Sequence, residues 1–117
     1  MNANDIIEDV IDMVDDLDRI VWEGDGRYVK HIAAGIKMVW YLTPESQIQS
    51  DGSIGDLVDF STNTSLPLPI DDMYQVPLTH YVASRFFGTS AGDNFDKRRS
   101  DDHWGKFLRS LGVVSGG

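Results

Sequence analysis

Three histidines, His31, His80 and His103, are the side chains of this sequence best suited to proton transfer or metal binding near neutral pH. No two of them stand four residues apart, the spacing that sets two ligands on one helical turn, and none carries the adjacent glutamate of a metalloprotease helix. Each therefore reads as a surface or partly packed histidine. The run Asp51-Gly52-Ser53-Ile54-Gly55-Asp56 offers oxygens of the kind calcium takes. It lacks the fifth-position ligand and the closing glutamate of an EF-hand loop, so calcium is not expected. No glycine-rich loop ends in Lys-Ser or Lys-Thr, and no dinucleotide fingerprint is present. Carboxylates are abundant, but abundance alone does not specify a pair for glycoside or phosphodiester hydrolysis. Cysteine is absent, which removes disulfides and thiolate metal sites and fits a reducing compartment. No catalytic residue, cofactor or metal is expected from these patterns.

Charge is the stronger signal. Over 117 residues the net charge is −9, so free nucleic acid is not an obvious ligand. Residues 1–25 hold nine acids, among them Asp9, Asp12, Asp15 and Asp16, against Arg19 alone. Residues 85–109 hold six bases (Arg85, Lys97, Arg98, Arg99, Lys106 and Arg109) against four acids. Two faces of opposite sign suit head-to-tail contact between identical subunits, although a charged face also serves solubility. Lys97-Arg98-Arg99 is flanked by Asp96, Asp101 and Asp102, which weaken its field, and so reads as a helix face that pairs with a neighbour's acids rather than with phosphates.

The elements that carry these charges follow from periodicity. Ile7, Val10, Ile11, Val14 and Leu17 form a helical stripe, predicting a first helix from about Asp5 to Asp16 with Asn4 as its cap. Gly24-Asp25-Gly26 is a turn. Tyr28, Val29, Ile32, Ala33, Ile36, Val39 and Trp40 predict a second helix from Arg27 to Leu42, ended by Pro44. Its small residues Ala33, Ala34 and Gly35 invite another backbone to approach. Residues 45–69 lack a helical period, and the turn signals among them predict a protruding loop or short β-hairpin arm over about 45–65. A third helix is expected near Ile70-Asp71, with Asp71 and Asp72 as caps. Pro77 either kinks it or falls in its first turn. A fourth helix runs from about Asp93 to Leu111, capped by Gly112, and Val113 to Gly117 form a flexible tail. The fold class is mainly α: a single four-helix bundle-like domain. No apolar run is long enough for a membrane span, and the acidic start is unlike a signal peptide.

The stretch from Leu66-Pro67-Leu68-Pro69-Ile70-Asp71-Asp72-Met73-Tyr74 into Tyr81-Val82-Ala83-Ser84-Arg85-Phe86, closed by His103-Trp104-Gly105-Lys106-Phe107-Leu108-Arg109, resembles the head-to-tail adaptor (head-completion or connector) proteins of tailed bacteriophages. The acidic first helix, Trp22 and a second helix halted by Pro44 match the same order of elements. The compressed, polar segment 45–65 and the position of Pro77 depart from that family. The resemblance implies a structural virion protein made in the host cytoplasm. It implies a homo-oligomeric ring, usually dodecameric, between the portal protein and a tail or nozzle protein, with DNA passing through without sequence-specific binding. Surplus negative charge on such a ring would let a duplex slide past. Partner contacts are then expected at Arg98, Arg99, Lys106, Arg109, Val113 and Val114, and Asp9, Asp12, Asp15 and Asp16 are expected to face a neighbour or the channel. Two other classes stay open. One is a small acidic interaction protein or DNA-mimicking inhibitor. The other is a helix-turn-helix regulator, which needs an uninterrupted basic helix that this chain lacks.

Overall fold

The computed structural model describes residues 1–14, 26–49, 51–57, 63–89 and 97–114. Four helices dominate them: α1 (Ala3–Val14), α2 (Gly26–Leu42), α3 (Gln75–Thr89) and α4 (Lys97–Val114). Single 3-10 turns at Pro44–Gln47 and Asp72–Tyr74 follow α2 and precede α3. α3 is the hub: α4 packs along it most extensively, and α1 and α2 cover other sides of it.

Helix α1 starts two residues before its expected position. The Asn2 side chain accepts from the Asp5 N–H at 2.9 Å, and the Asp5 carboxylate accepts from the Asn2 N–H at 3.0 Å. This reciprocal cap satisfies two donors that a helix start otherwise leaves free. Asn4, expected as the cap, has another task. Its N–H donates to the Thr64 carbonyl and its side-chain oxygen accepts from the Thr64 hydroxyl, which ties the 63–66 turn to α1. The early start buries Ala3 and Ile6 beside the expected Ile7, Val10 and Ile11. Asp15, Asp16 and Leu17 lie outside the described residues.

Helix α2 lies within one residue of its expected limits and buries Tyr28, Val29, Ile32, Ile36 and Val39. The small-residue stretch admits an aromatic ring rather than a backbone. A Cβ on Gly35 would sit 2.9 Å from Tyr81 Cδ1 and 3.2 Å from Leu78 Cδ2. Beyond α2, the Thr43 hydroxyl donates to the Val39 carbonyl, and Pro44 begins the 3-10 turn.

The expected β-hairpin arm does not form. Among the described residues, 44–57 contain one isolated antiparallel bridge, Ile48–Ile54, and no strand. Gly52, at φ +87°, makes the tight return, which brings the Gln49 N–H to the Ser53 carbonyl. The segment then folds back onto the body. The Gly55 N–H donates to the Gln47 carbonyl at 2.6 Å, and Gln47 Nε2 donates to the Gly55 carbonyl at 2.9 Å. Gln49 Nε2 reaches the Pro69 carbonyl at 3.1 Å. Among the described residues, side-chain amides and the approach to Pro69 hold the segment where a longer ladder would have used backbone groups.

Pro77 sits in the first turn of α3, the second of the two expected arrangements, where its missing N–H removes no helical bond. Asp71 caps the preceding 3-10 turn by accepting from the Met73 N–H at 3.0 Å. Leu78, Tyr81, Val82, Phe86 and Phe87 face the core from α3, whereas Arg85 is exposed. On α4, Phe107 and Leu111 are buried, Trp104 is half-buried and Leu108 is exposed. Gly112 does not cap α4, which continues through Val113 and Val114. A glycine inside a helix costs only about 1 kcal/mol, and Leu111 anchors this last turn to the core. The expected tail thus begins no earlier than Ser115, outside the described residues.

Candidate functional site

The fold joins two histidines that are 23 residues apart in sequence. His80 on α3 and His103 on α4 meet with their Nδ1 atoms 3.0 Å apart. Their ring centroids are 5.2 Å apart and the planes are inclined by 28°. The centroid separation exceeds the nitrogen separation by two ring radii, so the nitrogens lie between the centroids, head-on. One Nδ1 carries a proton and the other accepts it. Two nitrogens head-on at hydrogen-bond distance leave no space for a metal ion between them. Among the described residues no group of three or more His, Asp or Glu is placed to hold one either.

The surroundings disfavour extra protons on this pair. Burial, more than any other cause, pushes both imidazoles below their ordinary range. Lys106 and Arg109 add to the effect at His80, and the neighbouring His80, Lys106 and Arg99 add to it at His103, while Asp102 opposes it at both. Lys106 is itself bound to Asp102 at 3.2 Å, and that hydrogen bond holds the Asp102 carboxyl below its usual range. Phe87 stacks on His103 with centroids 5.7 Å apart, and the Arg99 guanidinium lies over the Phe87 ring. The pair is a polar bolt in an aromatic helix interface, not an open acid–base centre.

The expected basic residues do converge. Arg98, Arg99 and Arg109, with Asp101, Asp102 and Gly105, line an open groove of about 730 Å³ on the outer side of α4. Lys97 and Lys106 are engaged within the helix, with Asp101 at 2.9 Å and Asp102 at 3.2 Å. The Arg109 guanidinium lies across Gly105, where a Cβ would stand 3.2 Å from Arg109 Nη1. Val113 and Val114 belong to the last turn of this same helix.

The expected acidic residues Asp9 and Asp12 are exposed and line a second, more apolar groove of about 400 Å³ with Met13, Val76 and Thr79. Gln75 fixes one wall by donating to the Asp9 carboxylate at 2.9 Å. Val76 is 59 % exposed and Met13 39 %, so the floor is open to a partner. The expectation for Asp15 and Asp16 falls outside the described residues. Asp51 of the calcium-like run turns its carboxylate onto the Ser53 N–H and hydroxyl, at 2.9 and 2.6 Å.

Residue types alone did not point to the His80–His103 pair or to Val76. His103 stands at four-residue intervals from Phe107 and Leu111, which already assigns it to the buried face of α4. Among the described residues no helix is long and apolar enough to cross a membrane. Comparisons with models of protein families, with curated proteins and with solved structures gave no match.

Proposed function

We propose that this chain is a non-catalytic assembly subunit, a head-to-tail adaptor that joins a portal to a tail or nozzle in a tailed bacteriophage and works as one copy in a ring. The observation that carries this reading is the pair of unlike outer surfaces on one helical body. α4 presents Arg98, Arg99 and Arg109 around an open groove, while α1 presents Asp9 and Asp12 around another. The two helices pack on α3, with little contact between them. Surfaces of opposite sign on different sides of a small body allow each copy to contact a different part of its neighbour, the geometry that closes rings. The resemblance in the C-terminal half supplies the particular kind of ring. The test is electron microscopy of the protein mixed with its portal. Rings on the portal are expected, with small species in its absence because the net charge opposes association. Protein that stays small beside portal, in particles whose tails attach without it, would overturn the reading.

The exposed Glu8, Asp9 and Asp12 favour one other reading, a small acidic protein that offers carboxylates to a DNA-binding enzyme. Such a protein would form a discrete complex with that enzyme, compete with DNA for it, and ignore portal.

A further inference from the structure

We infer that the groove between α1 and the start of α3 receives the outer face of α4 from a second copy of this chain, with Leu108 seated between Met13 and Val76. The inference rests on the assembly reading and names its contact.

The receiving surface has an apolar floor and a charged rim. Met13 and Val76 are exposed on the floor, and Asp9 and Asp12 stand at the edge. A partner that fits must bring an apolar side chain with a cation beside it. α4 offers that combination in adjacent positions, Leu108 and Arg109. Leu108 is 42 % exposed, although Phe107 and Leu111 on the same helix are buried. Gly105, one turn before Leu108, has no side chain, and the Arg109 guanidinium lies across it. Arg109 lines the α4 groove beside it and would meet Asp9 and Asp12. Arg98 lies 11 residues earlier, about 16 Å along the helix, too far to reach the same carboxylates.

Charge also decides against the symmetric alternative. Two α1–α3 grooves facing each other would set Asp9 and Asp12 against their own copies, and like charges at close range are repulsive. The unlike pairing relieves that repulsion and uses two different patches of each copy. Such a contact repeats from copy to copy and closes into a ring when the rotation allows. It is weakened by salt, because both charged partners lie at the groove edge.

The chain has no cysteine, so introduced thiols report this contact without background. Met13→Cys and Leu108→Cys variants are made separately, checked for native helicity and melting, mixed and oxidised. The mixture should yield a disulfide-linked dimer that neither variant yields alone. Adding Arg109→Glu to the Leu108→Cys chain should lower the mixed dimer roughly tenfold, the effect of turning one attraction into repulsion. Adding Asp9→Lys and Asp12→Lys to the Met13→Cys chain should then restore it. Arg98→Glu should change the yield little. Dimers from Met13→Cys alone, or capture of an unrelated basic protein in place of the second copy, would overturn the inference. Unmodified protein that forms rings on portal while the Met13–Leu108 disulfide never forms also removes this contact but leaves the adaptor reading standing. A mixed dimer from protein that never loads onto portal does the reverse.

Discussion

Between α3 and α4, Tyr81 meets Phe107 edge-on with centroids 5.4 Å apart, Trp104 packs against Phe107, and Phe87 stacks on His103. The described residues of 43–57 have no such cluster. They bury Thr43, Ser46 and Gly55, with Leu57 partly covered, and leave Ile48 and Ile54 in solvent. What holds that segment is a set of hydrogen bonds from Gln47, Gln49 and Gly55 to backbone carbonyls. The first region is stabilised by area removed from water, at about 1.5–3 kcal/mol for each large side chain. The second gains only about 0.5–1.5 kcal/mol for each bond, since water offered the same groups a partner. Dense packing therefore fixes how α4 is presented, while the 43–57 loop is a covering element whose loss the body can survive.

Removing a packing residue should break this contrast most severely. Phe107 is fully buried and touches both Tyr81 and Trp104. Phe107→Ala should cost about 3–5 kcal/mol, a large share of the stability of a chain this size, and lower the melting temperature accordingly. A cost below about 1.5 kcal/mol, the level of a tolerated volume-conserving swap, would mean that α4 is not part of the core. Calorimetry or a denaturant titration measures it.

A smaller effect should appear on acidification. The folded-state pKa of His80 and of His103 is lowered, so the unfolded chain binds more protons once the pH falls below about 6.5. The stability contributed by the neutral pair is thus fully present above that value and declines as the pH falls towards the folded-state pKa. The first proton leaves an N–H···N bond in place. The second puts a proton on each Nδ1 and sets two cations against each other beside Lys106, Arg109 and Arg99. His31 shares the direction, chiefly through burial and then through Arg85, so it contributes in the same window. Melting temperatures between pH 7 and 5.5 should fall for the natural chain, fall less for His80→Gln, and respond independently to His31→Gln. A flat profile for the natural chain would show that the two rings do not share a proton.

The same contrast explains what could be read from residue order. Repeating apolar positions located α2 to within a residue, because every third or fourth side chain of a packed helix must meet the core. Pro77 and Asp71 marked the entry to α3 through backbone chemistry that needs no neighbour. The Asn2–Asp5 cap has an equally local signature, but Asn4 stands nearer the stripe and competes for the same reading. The His80–His103 bond depends on the register of α3 against α4, which residue spacing within one helix does not contain. For 43–57 the turn residues were legible, yet a hairpin and a folded-back loop share them. The choice between the two is made at Gln49 and Gly55 by Pro69, from a distant part of the chain.

That last point yields the smallest effect and the sharpest test of how the loop is held. Gln49 Nε2 is half of a polar clamp, shared between the Gln47 and Pro69 carbonyls at 3.2 and 3.1 Å. The side chain is only partly buried, so its removal lets water take over part of the bonding. Gln49→Ala should therefore cost about 1 kcal/mol or less in global stability. Its local consequence should be larger than its global one, because no apolar cluster holds the segment once the clamp is gone. Amide hydrogen exchange should accelerate at Gly52 and Gly55, whose N–H groups bond the Gln49 and Gln47 carbonyls, while the amides of α3 keep their rates. Gly55→Ala sharpens the result, since its Cβ would stand 2.9 Å from the Pro69 carbonyl oxygen and force the same separation by crowding. Matching exchange patterns in the two variants would establish that the loop opens as one unit at the Pro69 contact. Acceleration that spreads into α3 would show instead that the loop and the helical body unfold together.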